Sequence, residues 1–458
     1  MKKKSASGGP GSVAFSVDGK EMMTFMKDSY PLRRERIAEG VWFGSIADSR
    51  FKTNLLTLNL VLPLRRETVT ENALLPLVLE KGFRLFPTYR EFSMKLNRLY
   101  GASVNTGCTK LGDNEVLTLS ISTVDDAYAL AGEGLLRESA EILCGLLLDP
   151  VLRGGVLEPE NLALQKQYLT DSIQAEINEK RSYAMGRALS IMFENEPYGL
   201  RKLGYVEDMD GITPESATAA YGSILETARI EILHVGAGNP AVAREVFAAA
   251  FQGVRRRPGE LARTVIAKAG GSPKNVVEEK KVSQSKLCLG FKTGVGPDHP
   301  QLSAFRLMNS VLGGSPSSKL FLNVREKRSL CYYCASHFDR LKGILLIDCG
   351  VEADKVEETK EAIFAELDAI RRGDITKEEL EFARLSLQNS FRSVGETPYS
   401  MEAFYLTQTL LGMEETPLEQ SDRLDRITRE DVAAAAALPG LDTVYVLTGQ
   451  REEVEAHA

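Results

Sequence analysis

Hydrophobic and polar positions alternate near the start of the chain. Leu56, Leu58, Leu60 and Leu62 fall on one side, and Thr57, Asn59 and Val61 on the other. That period of two predicts a strand with one buried face. The period then lengthens to that of helices. Thr70 suits the N-cap of a helix over 71–81, and Gly82 suits its stop. Pro87-Thr88 introduces a second helix reaching about residue 100, and Gly101 turns the chain into a hairpin. The return strand carries Leu117, Leu119 and Ile121, with Thr118 and Ser120 between them. An amphipathic helix over 127–148 follows, ending at Asp149-Pro150. Glu158-Pro159 opens the next, to about 177, with proline in the first turn, where its missing N–H costs nothing. A helix over 182–193, a short one after Thr213-Pro214 and a strand over 230–235 close the unit.

The same order returns further on. Leu287, Leu289 and Phe291 alternate as Leu56, Leu58 and Leu60 do, and a helix over 301–312 ends at Gly313-Gly314. Ile344, Leu346 and Val351 take the place of the first return strand. A helix over 356–371 follows, and Thr376-x-x-Glu379 forms a capping box ahead of another helix. A strand over 443–447 ends the copy. Strand–helix–helix–hairpin–helix–helix–strand thus occurs twice, roughly 220 to 230 residues apart, a period too long for a solenoid. The implied class is α+β: two homologous halves, each an antiparallel-rich sheet with helices on one face. Between them, 251–283 holds Arg255-Arg256-Arg257-Pro258-Gly259 and Gly270-Gly271-Ser272-Pro273, a charged, Gly/Pro-rich composition that reads as a solvated linker. The domain plan is therefore a flexible extension over 1–30, a first domain over 31–250, the linker over 251–283, a second domain over 284–450 and a tail over 451–458.

Composition narrows the choice of function. At 458 residues, with 43% hydrophobic and 26% charged positions, the chain can bury more than one core. A net charge of −7 and a pI near 5.5 argue against nucleic acid and anionic membrane surfaces as partners. The basic N-terminus lacks the apolar stretch of a signal peptide, so the expected location is cytoplasmic. Six scattered cysteines do not form a secreted disulfide framework. Cys331-Tyr332-Tyr333-Cys334 is formally a C-x-x-C, but no second pair lies at zinc-site spacing, and the pair sits in a strand rather than at a helix start.

The stretch 317–333 carries the most distinctive chemistry. Leu320, Phe321 and Val324 follow helical spacing, and Leu330, Cys331, Tyr332 and Tyr333 suit a strand. Arg325 offers a rigid cationic fork and Tyr332 a phenol donor seven residues later. Such a pair can polarise a peptide carbonyl or hold a developing oxyanion. The same spacing also suits a helix-end arginine and a half-buried sheet tyrosine with no chemical task.

The run Leu320-Phe321-Leu322-Asn323-Val324-Arg325-Glu326-Lys327-Arg328-Ser329-Leu330-Cys331-Tyr332 resembles the C-terminal signature of the insulinase/pitrilysin/mitochondrial-processing-peptidase family of zinc peptidases. The likeness extends over roughly residues 36–450. It is nearest to a bacterial branch of paired genes in which one member lacks the zinc ligands. It implies the metallohydrolase fold of the processing peptidases, with Arg325 and Tyr332 facing substrate opposite a zinc site in the first half. In that family a helix carries His-x-x-Glu-His, two imidazoles on one face for zinc and a Glu to activate water. The matching helix here reads Leu77-Val78-Leu79-Glu80-Lys81. Leu77 offers no lone pair and Lys81 is a cation, so only Glu80 remains, and it is expected to pair with Arg84. The third ligand position falls at Ser172, beside Asp171. The four histidines, His234, His299, His337 and His457, include no pair at i, i+4.

The resemblance therefore implies a protein with no metal and no other cofactor. Its expected role is the non-catalytic, substrate-binding subunit of a heterodimeric metallopeptidase, inactive alone. A zinc-bearing paralogous subunit would be its partner, and peptide its substrate. Other readings remain: a structural scaffold subunit with no peptidase role, a stand-alone enzyme using Glu80 or the Cys331/Cys334 pair, and a protein associated with modification of a translation elongation factor.

Overall fold

Six strands build the sheet of the first half: β1 (Arg33–Ala38), β2 (Val41–Ala47), β3 (Thr53–Pro63), β4 (Ser103–Leu111), β5 (Asn114–Val124) and β6 (Arg229–Gly236). Their spatial order is β1-β2-β6-β3-β5-β4, and only β2 and β6 run parallel. The computed structural model describes residues 31–449. The extension expected over 1–30 and the tail expected over 451–458 lie outside the described residues.

The second half contributes β7 (Lys274–Lys280), β8 (Ser285–Lys292), β9 (Cys331–Asp339), β10 (Ile344–Val351) and β11 (Gly440–Gly449). Their order is β9-β10-β8-β11-β7, with β11 and β7 parallel. This matches β4-β5-β3-β6-β2 strand for strand, so the duplication seen in the hydrophobic pattern is a duplication of topology.

Helices α1 (Val69–Leu79), α2 (Tyr89–Arg98), α3 (Leu135–Leu148), α4 (Pro159–Ala175), α5 (Lys180–Met192), α6 (Pro214–Thr227) and α7 (Pro240–Phe251) belong to the first half. The second half has α8 (Leu302–Leu312), α9 (Val356–Arg371), α10 (Lys377–Ser393), α11 (Pro398–Leu411), α12 (Pro417–Arg423) and α13 (Arg429–Ala436). Leu56, Leu58, Leu60 and Leu62 pack with α1 and α3 in one core, and Leu287, Leu289 and Phe291 pack with α8 and α9 in another. No helix among the described residues is long and apolar enough to cross a membrane.

Four local expectations are corrected. The α3 helix starts at Leu135, not at 127, because Gly132 adopts φ +74° and Gly134 adds a second flexible link. Residues 126–128 form a single tight turn capped by Asp125, and the Asp126 carboxylate receives the Leu136 N–H at 2.9 Å. The α1 helix starts at Val69, so Thr70 lies inside it. Its hydroxyl donates to Asp208 Oδ2 at 2.5 Å and accepts the Tyr205 N–H at 3.0 Å. The presumed linker is largely bound. Its last part is strand β7, and Arg256, expected in a solvated basic face, is buried and donates to the Glu39 and Ala228 carbonyls. Finally, β3 is buried on both faces, with Thr57 and Asn59 each 1% exposed.

That last difference has a structural cause. Helix α11 crosses from the second half and covers the polar face of β3, where buried Glu402 accepts hydrogen bonds from Thr57 Oγ1 and Asn59 Nδ2, both at 2.9 Å. In return α5 covers the outer face of the second sheet, setting Ala184 and Ala188 against Cys288, Tyr445 and Leu447. Gly290 in β8 makes the approach possible, because a Cβ there would meet Met192 Sδ at 2.9 Å. Each sheet thus has its own helices on one face, as expected, and a borrowed helix on the other.

The hairpin tips of the two halves also meet. Lys342, fully buried in the β9–β10 turn, bridges Asp113 of the β4–β5 turn at 3.0 Å and Glu196 at 2.8 Å. Nearby, Tyr198 donates its hydroxyl to Asp339 Oδ2 at 2.5 Å.

Removing one partner of a buried ion pair leaves the other charge uncompensated, at a cost of about 3–5 kcal/mol. Lys342→Met is therefore expected to lower the unfolding free energy by about that amount in urea titrations. Adding Asp113→Leu is expected to restore most of the loss.

A second expectation concerns Glu115 on β5, which is fully buried, receives a hydrogen bond from Asn72 and has one oxygen without a partner. Burial pushes its carboxyl up to about 7. The folded state thus favours the protonated form: its contribution is complete below the ordinary carboxylate range and is lost as pH rises through about 7. Glu115→Gln is expected to stabilise the protein at pH 8 by up to about 3 kcal/mol, the gain shrinking towards pH 4, as read from urea midpoints.

Candidate functional site

The degenerate zinc motif sits at the C-terminal end of α1. Because the helix ends at Leu79, Glu80 and Lys81 lie just beyond its last turn. Lys81 Nζ pairs with Glu80 Oε1 at 2.5 Å, and the Thr106 hydroxyl on β4 donates to Glu80 Oε2 at 2.6 Å. The Lys81 ammonium also lies 5.6 Å from the centre of the Tyr89 ring. Arg84, the expected partner of Glu80, instead donates to both oxygens of Asp149 at 2.8 Å. It lies beyond the end of α1, where helical i, i+4 spacing no longer applies. Leu77 is half-buried against the core.

On α4, the half-buried Ser172 gives its hydroxyl to the Tyr168 carbonyl at 2.8 Å, and Asp171 accepts from Gln167 at 2.8 Å. No hydrogen bond or ion pair joins Ser172 or Asp171 to Glu80 or Lys81 among the described residues. The α4 residues that meet the end of α1 are Asn161, Leu164 and Gln165, with Asn161 Nδ2 donating to the Val78 carbonyl at 3.0 Å. No group of three or more His, Cys, Asp or Glu among the described residues is arranged to hold a metal ion. A leucine and a paired lysine do not fit zinc, which needs lone pairs from imidazole, thiolate or carboxylate. A cavity of about 390 Å³ opens beside Lys81, and its rim displays Tyr89 and Leu164, 66% and 67% exposed.

Arg325 and Tyr332 lie together in the second half. The chain from Leu320 to Lys327 is wound as a wide π-helical turn, with Leu320 and Val324 buried beneath it. Turns of this kind are rare and concentrate at functional sites. Ser329 then takes φ +51° and the chain enters β9. There the register against β10 shifts between Cys331 and Tyr333, leaving Tyr332 on a bulge. A bulge re-aims a side chain, and Tyr332 is 60% exposed. Both residues line one open cleft of about 380 Å³, with Glu326, Ser329, Glu352 and Lys355.

Each side chain has an acidic neighbour. Arg325 Nη1 lies 3.2 Å from Glu326 Oε1, and its guanidinium stacks 4.6 Å from the Phe321 ring centre. The Tyr332 hydroxyl donates to Glu352 Oε1 at a long 3.4 Å, while Lys355 holds that carboxyl below its ordinary range. These contacts are exposed and weak, so an incoming carbonyl can displace them.

Cys331 and Cys334 are free thiols within a strand, as expected, and Cys334 faces Cys349 across the ladder. Sequence reasoning missed Thr106, Tyr89 and Gln165 around the degenerate motif. They come from β4, α2 and α4, and no short spacing in the sequence links them to Glu80.

Comparison with known proteins places the chain in a family. A family profile described as "Peptidase M16 inactive domain" matches residues 211–387. The chain is 30% identical over 405 residues to the "Probable inactive metalloprotease YmfF" of Bacillus subtilis, covering 88% of this chain and 95% of that one. Among solved structures it resembles a conserved protein from Enterococcus faecalis, with a TM-score of 0.85 and 26% identity over 92% of this chain and 99% of that one. It also shares the fold of a peptidase M16 inactive domain from Pseudomonas fluorescens, with a TM-score of 0.73 and 18% identity over 92% of this chain and 98% of that one. With sequence and topology in agreement, this chain belongs to the peptidase M16 family, the insulinase- and pitrilysin-type zinc peptidases, and carries its fold without the family's His-x-x-Glu-His.

Proposed function

We propose that this chain is the substrate-binding, zinc-free subunit of a heterodimeric M16 peptidase of the cytoplasm. A second chain of the same fold supplies the metal and the activated water. This chain supplies Arg325 and Tyr332 to the peptide carbonyl. One observation carries the reading: a π-helical turn and a strand bulge, both uncommon, bring Arg325 and Tyr332 to the same exposed cleft, while Lys81 neutralises Glu80 where a metal would sit. A purely structural subunit has no need of the first arrangement. The exposed Tyr89 and Leu164 beside the degenerate motif support a surface that meets another molecule. Peptide would add as a strand to an exposed sheet edge, with main-chain hydrogen bonds giving affinity without strong sequence preference.

Native mass spectrometry of the protein from its own host is expected to show a heterodimer with a chain of similar size, all of its zinc bound to that second chain. A solely monomeric protein at cellular concentration, or tightly bound zinc on this chain, argues against the proposal.

In the reconstituted pair, Tyr332→Phe removes one oxyanion donor and keeps the ring. Turnover is expected to fall roughly 10²- to 10³-fold with little change in complex stability. Glu80→Gln is expected to change neither. Full activity of the Tyr332→Phe pair would return the role to pure scaffold.

A further inference from the structure

A second cavity, of about 490 Å³, lies between α8, the β9–β10 turn, α10 and α11. Arg306, Arg340 and the carboxylate Asp339 line it, together with Phe338, Phe391, Phe404 and Gln420. It shares no lining residue with the Arg325–Tyr332 cleft.

Buried or half-buried arginines are ordinarily matched with carboxylates. These two are not. Arg306 donates Nη1 to Gln420 Oε1 at 2.9 Å, and its guanidinium lies 5.4 Å from the Phe391 ring centre. Arg340 donates Nη2 to Gln408 Oε1 at 3.2 Å. Both acceptors are neutral amides. The acids whose charge reaches the pair are engaged elsewhere. Asp339 takes the Tyr198 hydroxyl and the Leu341 N–H, and Glu415 pairs with Arg423. Burial, reinforced by the Arg340 charge, pulls Arg306 down to about 9, and burial lowers Arg340 as well. Both remain cationic at neutral pH.

Gln420 is 2% exposed and its oxygen is taken by Arg306. Two guanidiniums thus line one cavity with donors to spare. A single anion can bridge them, and the planar guanidinium fork matches carboxylate and phosphate oxygens.

We propose that this cavity binds a small aryl anion, a carboxylate or phosphate carried on an aromatic ring, with the head group between Arg306 and Arg340 and the ring against Phe338, Phe391 and Phe404. The volume is that of ordinary small-molecule sites. Arg340 lies two residues before Lys342, which ties the halves together, so an occupant braces the same turn that forms the seam.

Titration calorimetry of the full chain tests this with phenyl phosphate, benzoate, inorganic phosphate and benzyl alcohol. At least one of the two aryl anions is expected to bind one per chain, and the tighter of them identifies the head group. Inorganic phosphate and benzyl alcohol are expected to bind at least about tenfold more weakly, a difference of about 1.4 kcal/mol. Arg340→Gln and Arg306→Gln are each expected to weaken the aryl anion at least about tenfold and to abolish its stabilisation against heat. If Arg306→Gln fails to fold, Arg340→Gln, at a half-buried position of the β9–β10 turn, decides alone. Absence of saturable binding by either aryl anion overturns the proposal. So does binding that survives Arg340→Gln with the fold intact by circular dichroism, or equal affinity for inorganic phosphate.

Discussion

Glu402 reaches from α11 onto the polar face of β3, and much of the architecture depends on that contact. Thr57 and Asn59 present hydroxyl and amide groups on a face that their own half leaves bare. Burying those groups without partners would be costly. A carboxylate from the second half satisfies both at once. Burial raises its own pKa, and the two hydrogen bonds oppose that rise by favouring the charged form. The exchange in the opposite direction needs no polar match. Helix α5 lays small residues on the second sheet, and Gly290 removes the Cβ that would block it. Neither half closes both faces of its own sheet, so the two copies fold as one unit held by exchanged helices and by Lys342 at the hairpin tips.

The degenerate zinc motif and the Arg325–Tyr332 cleft owe their geometry to different causes. The degenerate motif spans the end of α1, whose packing on the sheet is apolar apart from the Asn72–Glu115 hydrogen bond. Leucine and lysine can replace imidazoles there with no loss to the core, and Lys81 with Thr106 then quiets the leftover Glu80 carboxylate. The Arg325–Tyr332 cleft differs. Its geometry comes from backbone irregularities, a π-helical turn, Ser329 at positive φ and a bulge, and not from the two side chains themselves. Such features carry a conformational cost and persist where their surroundings or their use maintain them.

Around Arg306 and Arg340 the fold tolerates two like charges with no direct carboxylate partner, the nearby acids being engaged by other groups. The two arginines come from α8 and from the β9–β10 turn, and Gln420 from α12. Because one wall belongs to the turn that also carries Lys342, local electrostatics there and the stability of the seam between halves are physically linked.

Much of the fold was legible in the chain itself. Period-two and period-3.6 patterning, repeated in the same order, marked two α+β halves, because burial on one face leaves a periodic trace in sequence. The resemblance set Leu77 and Lys81 at ligand positions, where a hydrocarbon and a protonated amine offer zinc no lone pair. What the sequence left open depended on contacts between distant residues. The alternation in β3 correctly placed the leucines but implied a solvated opposite face, because Glu402 lies 343 residues from Asn59 and carries no local signal. The charged connector read as solvent-exposed because composition does not say which carbonyls Arg256 will cap. Glu80 was paired with Arg84 on helical spacing, but the helix ends one residue before it. Arg325 and Tyr332 stood out by identity and spacing, yet their shared cleft arises only from the turn and the bulge. Patterning determined which elements form; how helices, turns and charges from separate halves meet was decided by tertiary packing, which no local period encodes.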